Sequence, residues 1–494
     1  MTERSQEKLK WMVLLTVIVG TFLGRLDQTI VNLALPKMID SFGITVASAG
    51  WISTAYILAN AIFVPIWGKL GDTLGRKKVY LIGFSIFIFG SVLAGFAWNL
   101  SSMIVFRIIQ AIAGSADYPT AMSIIAVTFA EGKDRAKALG IWSGSFAAAA
   151  VFGPLLGGPL IDTFGWRSVF LVNLPIGILG IVMAMRYINE SRSEIRSKHF
   201  DWWGAITLGA SLSALVLVLD KGLSWGWLSM NSMLSYVATI LFLWLFIFIE
   251  HHSEEPIVDL KFFKIPAFVN VLMNNFIVFM GMMGSMFLLP VFAQTFLGYS
   301  ATETGFLFMP MVVAMMSASI LGGNLTGKVS SRMVIFWSTL IAAIGTFMFI
   351  GIDAKSTAAD LILPLMVMAF GLGLGMAQRT NIIASLVDPH EIGIASSVLA
   401  LVRNIAGAFG IALFATYLTK SIENNVLIIN HFSTLRAHDP ATIATYVQLV
   451  ILKAQINAYK DVYILAALVI FIGAIVALFL RVKNEDTTAV VHVE

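Results

Sequence analysis

Fourteen apolar blocks of about twenty residues punctuate the chain, each long enough for a helix rising about 1.5 Å per residue to cross the hydrocarbon of a bilayer. They fall near 11–34, 48–67, 78–97, 102–125, 137–160, 168–187, 202–220, 231–250, 268–292, 303–325, 333–351, 361–380, 393–419 and 460–482. In hydrocarbon the backbone has no water to bond, so blocks of this length close their hydrogen bonds internally as helices. The expected fold class is an all-α integral membrane protein. The composition agrees: 58% of the 494 residues are hydrophobic and 12% charged, whereas soluble domains carry about a quarter charged residues, so a water-soluble enzyme is excluded. Without cysteine there is no disulfide framework and no thiolate metal site.

An even number of spans puts both termini on one side, and the basic residues choose that side. Arg4, Lys8 and Lys10, then Lys69, Arg76, Lys77 and Lys78, Lys133, Arg135 and Lys137, Arg186, Arg192, Arg196 and Lys198, Lys261 and Lys264, Lys328 and Arg332, and Arg481 and Lys483 all fall on the terminus side. The short loops opposite hold Lys37, Arg167, Lys221 and Lys355. The positive-inside rule therefore makes both termini cytoplasmic in a cell membrane. Met1 to Lys10 is polar and the next apolar block is too long for a cleavable leader, so none is expected. One outer segment, 420–459, is long and carries an amphipathic stretch near 441–456, read either as a surface helix or hairpin or as a solvated loop.

The turn Gly68-Lys-Leu-Gly-Asp-Thr-Leu-Gly-Arg-Lys-Lys78 after the second span has a degenerate copy after the tenth, Gly322-Gly-Asn-Leu-Thr-Gly-Lys-Val-Ser-Ser-Arg332. A duplicated six-helix unit leaves such a trace. The expected organisation is a six-helix bundle over 1–200, a two-helix insertion over 201–255, and a second six-helix bundle over 256–494.

Four stretches carry a family resemblance. Leu26-Asp-Gln-Thr-Ile-Val-Asn-Leu-Ala-Leu-Pro36 lies in the first span. The cytoplasmic turn has Gly68, Gly71, Asp72, Gly75, Arg76 and Lys77. The fourth span has Arg107, Gln110, Gly114 and Pro119, and the fifth has Gly153-Pro-Leu-Leu-Gly-Gly158. With Asn173-Leu-Pro-Ile-Gly177 and Ile257-Val-Asp-Leu-Lys-Phe-Phe263, the pattern resembles the fourteen-helix drug:proton antiporter branch of the major facilitator superfamily. The resemblance implies two six-helix halves, a central cavity lined by spans 1, 4, 9 and 12, and efflux driven by a proton gradient without a cofactor. Arg25, Asp117 and the pair Gln378-Arg379 depart from the family pattern and put a multidrug specificity in question.

Each candidate residue has a physical use and a plainer alternative. A carboxylate inside a span is costly unless paired, protonated or wet. Asp27 is such a group, and burial disfavours its charged form, so it suits a proton taken from outside and released inside; the alternative is a structural hydrogen bond near Pro36. Arg107 keeps its charge and could switch that carboxylate by approaching or leaving it, or else sit in a static ion pair. Asp117 and Arg379 are read as a pair across the inner half of the cavity, or as a cation-attracting carboxylate and a snorkelling arginine. Gln28, Asn32, Tyr118, Asn274, Asn275 and Gln378 are further cavity candidates, beside Met280, Met282 and Met283. Asp72 would sit at the positive end of the thirteenth span and favour an outward-facing state, with Arg76 and Lys77 tuning it. Gly153, Pro154, Gly157 and Gly158 make a small-residue face for close helix approach.

The seven histidines lack metal-site spacing, and no Gly-rich Lys-Ser/Thr loop suggests direct ATP drive. The expected function is a proton-coupled exporter of lipophilic cationic or zwitterionic compounds by alternating access, such as antibiotics. The chain is expected to act as a monomer, with protons, a small-molecule substrate and the bilayer as partners and without nucleic acid, metal or enzymatic activity. The rivals are a dedicated exporter or flippase for one metabolite or lipid, and a non-transporting receptor on the same scaffold.

Overall fold

The structure, a computed structural model, describes residues 3–129, 133–191, 201–253, 256, 258, 260–325, 328–387, 392–432 and 440–481. No strand occurs among the described residues. The helices are α1 (Glu3–Phe42), α2 (Val46–Leu74), α3 (Arg76–Gly95), α4 (Leu100–Gly114), α5 (Asp117–Thr128), α6 (Lys133–Phe164), α7 (Ser168–Leu171) and α8 (Asn173–Tyr187). They continue as α9 (Trp202–Trp225), α10 (Met230–His252), α11 (Pro266–Phe296), α12 (Ala301–Leu325), α13 (Ser331–Met348), α14 (Ala358–Ser385), α15 (Ile392–Phe432) and α16 (Pro440–Leu478). Thirteen stretches of the described residues are long and apolar enough to cross a membrane, and α6, 32 residues long, is the fourteenth span.

Two spans are interrupted. The fourth consists of α4 and α5, and the sixth of α7 and α8. Pro119 stands in the first turn of α5 and Pro175 in the first turn of α8. Proline has no N–H and crowds the carbonyl four residues earlier, so each span gives way just ahead of it. At the first break Ala116 N–H bonds the Ala113 carbonyl, a tightened turn.

The chain divides into two compact units, Met1–Ile257 with Ala293–Phe306, and Val258–Phe292 with Leu307–Glu494. In the first, α1 packs along α6 and α8, α3 along α4, and α9 packs against both α10 and α2. In the second, α13 packs against both α14 and α16, and α15 against α16. Glycine makes these approaches possible. A Cβ on Gly371 would lie 2.9 Å from Ala342 Cα, and one on Gly410 3.0 Å from Met280 Cα. Small residues let helix backbones meet where lipid supplies no hydrophobic drive for association. Leu234, Val237, Ile240 and Trp244 on α10 are exposed, as a lipid-facing stripe requires.

Much of the segment 420–459, expected on the outer side, is helical, because α15 runs on to Phe432 and α16 begins at Pro440. Residues 433–439 lie outside the described ones. Asp461 ties the two extensions together, accepting from Ser421 Oγ at 2.5 Å and Asn425 Nδ2 at 2.9 Å.

Candidate functional site

The cytoplasmic turn of the sequence reading is tighter than its eleven-residue motif suggests. Gly71 lies in the last turn of α2, and α3 begins at Arg76, so Gly75 alone makes the corner, at φ 111°. That conformation favours glycine. The Glu190 carboxylate, at the end of the sixth span, accepts from Lys77 N and Lys78 N at 3.1 Å each and caps α3. Arg76 N donates to the Ser191 carbonyl at 3.0 Å, and Lys77 Nζ to the Met185 carbonyl at 2.8 Å. Glu190 went unnoticed in the sequence because no local spacing connects it to the turn. The Asp72 side chain lies outside the described ones, as does the region around Asp388 to Glu391 ahead of α15.

The small-residue face of α6 packs closely. A Cβ on Gly153 would run into Thr29 Oγ1, and one on Gly157 would meet Ile30 at 3.0 Å. A Cβ on Gly158 would overlap the backbone at Thr302, while one on Gly305 would lie 2.6 Å from the Pro154 carbonyl oxygen. At the C-terminal end of α6, Asp162 accepts from Ala301 N at 3.1 Å, Thr302 N at 2.9 Å and Thr302 Oγ1 at 2.6 Å, capping the start of α12. Partial burial opposes the charge of Asp162, but the Thr302 and Ala301 hydrogen bonds and nearby Lys37 outweigh it, holding the carboxyl below the usual carboxylate range. A depressed folded value gives stability that is present above the unfolded pKa of about 3.9 and lost as pH falls through the folded one. Asp162→Asn should therefore lower stability by about 1 kcal/mol at neutral pH, with the difference from wild type closing below about pH 4. Thermal unfolding across pH checks this; a deficit that does not shrink in acid removes the charged cap.

The centre of the first unit is a buried ion pair. Arg107, on α4, donates through Nη1 to Asp27 Oδ2 at 2.6 Å, and the two residues are 1% and 0% exposed. The same Nη1 reaches Gln110 Oε1 at 2.6 Å, while Gln110 Nε2 donates to Asp27 Oδ1 at 2.9 Å. Asn173, the first residue of α8, donates through Nδ2 to Asp27 Oδ1 at 2.9 Å and to Ser91 Oγ at 2.8 Å. Ser91 Oγ in turn donates to the Phe170 carbonyl. The guanidinium carbon sits 4.0 Å over the Tyr56 ring. Asp27, on α1, thus receives one charged and two neutral donors from two other helices, α4 and α8, the satisfaction a buried carboxylate needs. Gln110 and Asn173 were visible as motif residues but had no assigned role; a neutral amide in an apolar span was the available signal.

The remaining candidates divide between the units. In the first, Gln28 accepts from Arg25 Nη1 at 3.4 Å and bonds Tyr56, Asn32 accepts from Ser53 Oγ at 3.2 Å, and Tyr118, 42% exposed, packs its ring against Trp142. Asp117 is buried with Thr21 as its hydrogen-bonding neighbour. In the second, Asn274 takes Arg379 Nε at 2.8 Å and donates to the Gly473 carbonyl at 2.7 Å. Arg379 Nη2 reaches Thr339 Oγ1 at 3.1 Å. Gln378 links α14 to the Gly322 carbonyl and Ser331 Oγ, and Asn275 donates to the Leu399 carbonyl at 3.4 Å. Asn274, Asn275 and Gln378 are buried brackets between helices. Asp117 and Arg379, expected to pair, each have partners inside their own unit.

The Major Facilitator Superfamily model matches residues 17–411. The multidrug transporter protein MdtP of Bacillus subtilis is 31% identical over 425 residues, covering 86% of this chain and 78% of that protein. The riboflavin transporter RibZ of Clostridioides difficile is 28% identical, covering 97% of this chain and 99% of that one. Among solved structures, an inward-facing, occupied bacterial homologue of the human lysosomal transporter Spinster shares the fold with TM-score 0.71 at 18% identity, over 95% of this chain and 96% of that one. The chain is a multi-pass membrane transporter and not an enzyme. With fourteen spans, the four motifs in order and a match across most of its length, it belongs to the Major Facilitator Superfamily.

Proposed function

We propose that this chain is a proton-coupled secondary exporter of lipophilic, cationic or zwitterionic compounds. The observation carrying the reading is the buried Asp27–Arg107 pair held among neutral donors. A proton arriving from outside neutralises Asp27, and the neutral carboxyl no longer holds Arg107 by charge. Arg107 cannot shed its own proton, so the guanidinium, left with neutral Gln110 and Tyr56, has lost its counter-charge, which is a reason for the helices around it to rearrange. Alternating access then releases the proton inside and the substrate outside. One charge moving down 100 mV supplies about 2.3 kcal/mol, enough for a useful gradient. Cytoplasmic termini, and Asp72 steadying the cytoplasmic side, belong to the same reading.

Purified protein in liposomes under an imposed pH gradient tests it. Lipophilic cations and zwitterions are expected to provoke proton flux, and Asp27→Asn is expected to abolish it while leaving substrate binding measurable. Flux that survives Asp27→Asn unchanged would overturn the assignment. A second reading, a dedicated exporter of one compound, is favoured by the likeness to a protein named a riboflavin transporter. It predicts a response to one member of the panel and silence from the rest.

A further inference from the structure

A second buried carboxylate in the first unit is not used by the Asp27 pair. Asp117 opens α5, just past the break that Pro119 imposes on the fourth span, and its Oδ1 is buried without a hydrogen-bond partner. Burying a polar atom unpaired costs free energy, so such an atom needs an explanation. Beside it is a cavity of about one water's size, lined by Gly20, Gly24, Tyr80, Phe87, Gly114 and Asp117. Gly20 keeps this space open: a Cβ there would run into Tyr80 Oη and lie 3.1 Å from Asp117 Oδ1.

The hydrogen bonds around the carboxyl have a fixed sense. Trp142 Nε1 donates to Thr21 Oγ1 at 2.9 Å, which leaves the Thr21 hydroxyl proton to point at Asp117. Tyr80 Oη donates to the Thr16 carbonyl at 3.2 Å, so its proton is engaged while its lone pairs face the cavity. The titratable and charged groups facing Asp117 are Arg25 from α1 and Tyr80 from α3. On the far wall, the Cβ position of Gly114 is 3.2 Å from Tyr56 Oη, the ring that carries Arg107. Asp117 follows Arg107 by ten residues, roughly 15 Å along the span toward the inner side.

We propose that Asp117 is a second proton-binding carboxylate, with Oδ1 taking the proton from the side of the cavity it borders. The step is a simple protonation: carboxylate plus one proton gives the neutral acid, whose new O–H fills the vacant role at Oδ1 and donates into the cavity. One proton enters from one side of the membrane and the same proton leaves to the other, so no co-reactant is needed. The inference rests on the proton-coupled reading for its purpose but not for its test.

Infrared difference spectra of the full chain in lipid, recorded as pH is lowered, read protonated carboxyl groups in apolar surroundings. A titrating band is expected in the wild type and is lost in Asp117→Asn. An indicator dye should count one proton fewer per molecule for that substitution. Thr21→Val, which removes the hydroxyl donor and keeps the shape, should shift the Asp117 band and its midpoint, and it stands in should Asp117→Asn not fold. A spectrum and proton count unchanged by both Asp117→Asn and Thr21→Val overturn the proposal. Loss of the Asp117 band with unimpaired transport in Asp27→Asn would uphold this site while sinking the coupling role of Asp27, so the two failures are distinguishable.

Discussion

Arg107→Gln is expected to destabilise the first unit by about 3–5 kcal/mol and to abolish exchange, because removing one partner of a buried pair leaves an uncompensated charge behind. The Asp27 carboxylate would keep Gln110 and Asn173 as donors but lose its cation in a site with no access to water. The double variant Asp27→Asn with Arg107→Gln should recover part of that loss, since a pair of neutral side chains carries no buried charge. Transport should not recover with it. Thermal unfolding of the wild type, both single variants and the double variant gives the coupling between the two positions, and the liposome assay gives exchange for the same four proteins. A double variant no more stable than the Arg107→Gln single variant would show that the pair is not coupled as its 2.6 Å contact suggests.

The ease of reading these parts from sequence follows the physics of the bilayer. Fourteen spans were legible because hydrocarbon sets a minimum length and excludes charge, and the structure supplies fourteen, two of them broken at prolines. Asp27 and Arg107 stood out for the same reason, as charges where charges are costly. Gln110 and Asn173 stood out only as motif residues and Ser91 not at all, because a neutral polar group in a span costs less than a charge and often does no more than brace a neighbour. Asn274, Asn275 and Gln378 show the converse: read as cavity candidates, they are buried brackets bonded largely to backbone. The segment 420–459 read as either a surface helix or hairpin or a solvated loop, and its described part is helical: the helix ladder continues beyond the apolar stretch, since water ends the hydrophobic pattern and not the hydrogen bonding. Contacts distant in sequence, such as Glu190 on α3 and Asp162 on α12, had no signature at all.

Of the four residues in the α6 glycine–proline motif, Gly158 should be the least replaceable. A Cβ added at Gly153 meets the Thr29 hydroxyl, a side chain that can turn aside, and one at Gly157 meets the flexible Ile30 at 3.0 Å. A Cβ at Gly158 overlaps Thr302 Cα and lies 2.8 Å from Thr302 N and 3.0 Å from the Ala301 carbonyl oxygen, all backbone atoms of a helix start that cannot rotate away. The same turn is tied down by Asp162, so relief by shifting it would also stretch those hydrogen bonds. Overpacking typically costs about 1–3 kcal/mol, and an immovable neighbour puts the cost at or above the upper end. Gly158→Leu is therefore expected to reduce folded yield and the unfolding temperature most, with Gly158→Ala already worse than Gly153→Ala. Thermal unfolding of the three variants in one detergent decides the order. If Gly153→Ala proves as damaging as Gly158→Ala, the stiffness of the Thr302 backbone is not what constrains the motif, and Thr29, held by its own hydroxyl bond to the Leu26 carbonyl, resists displacement just as firmly.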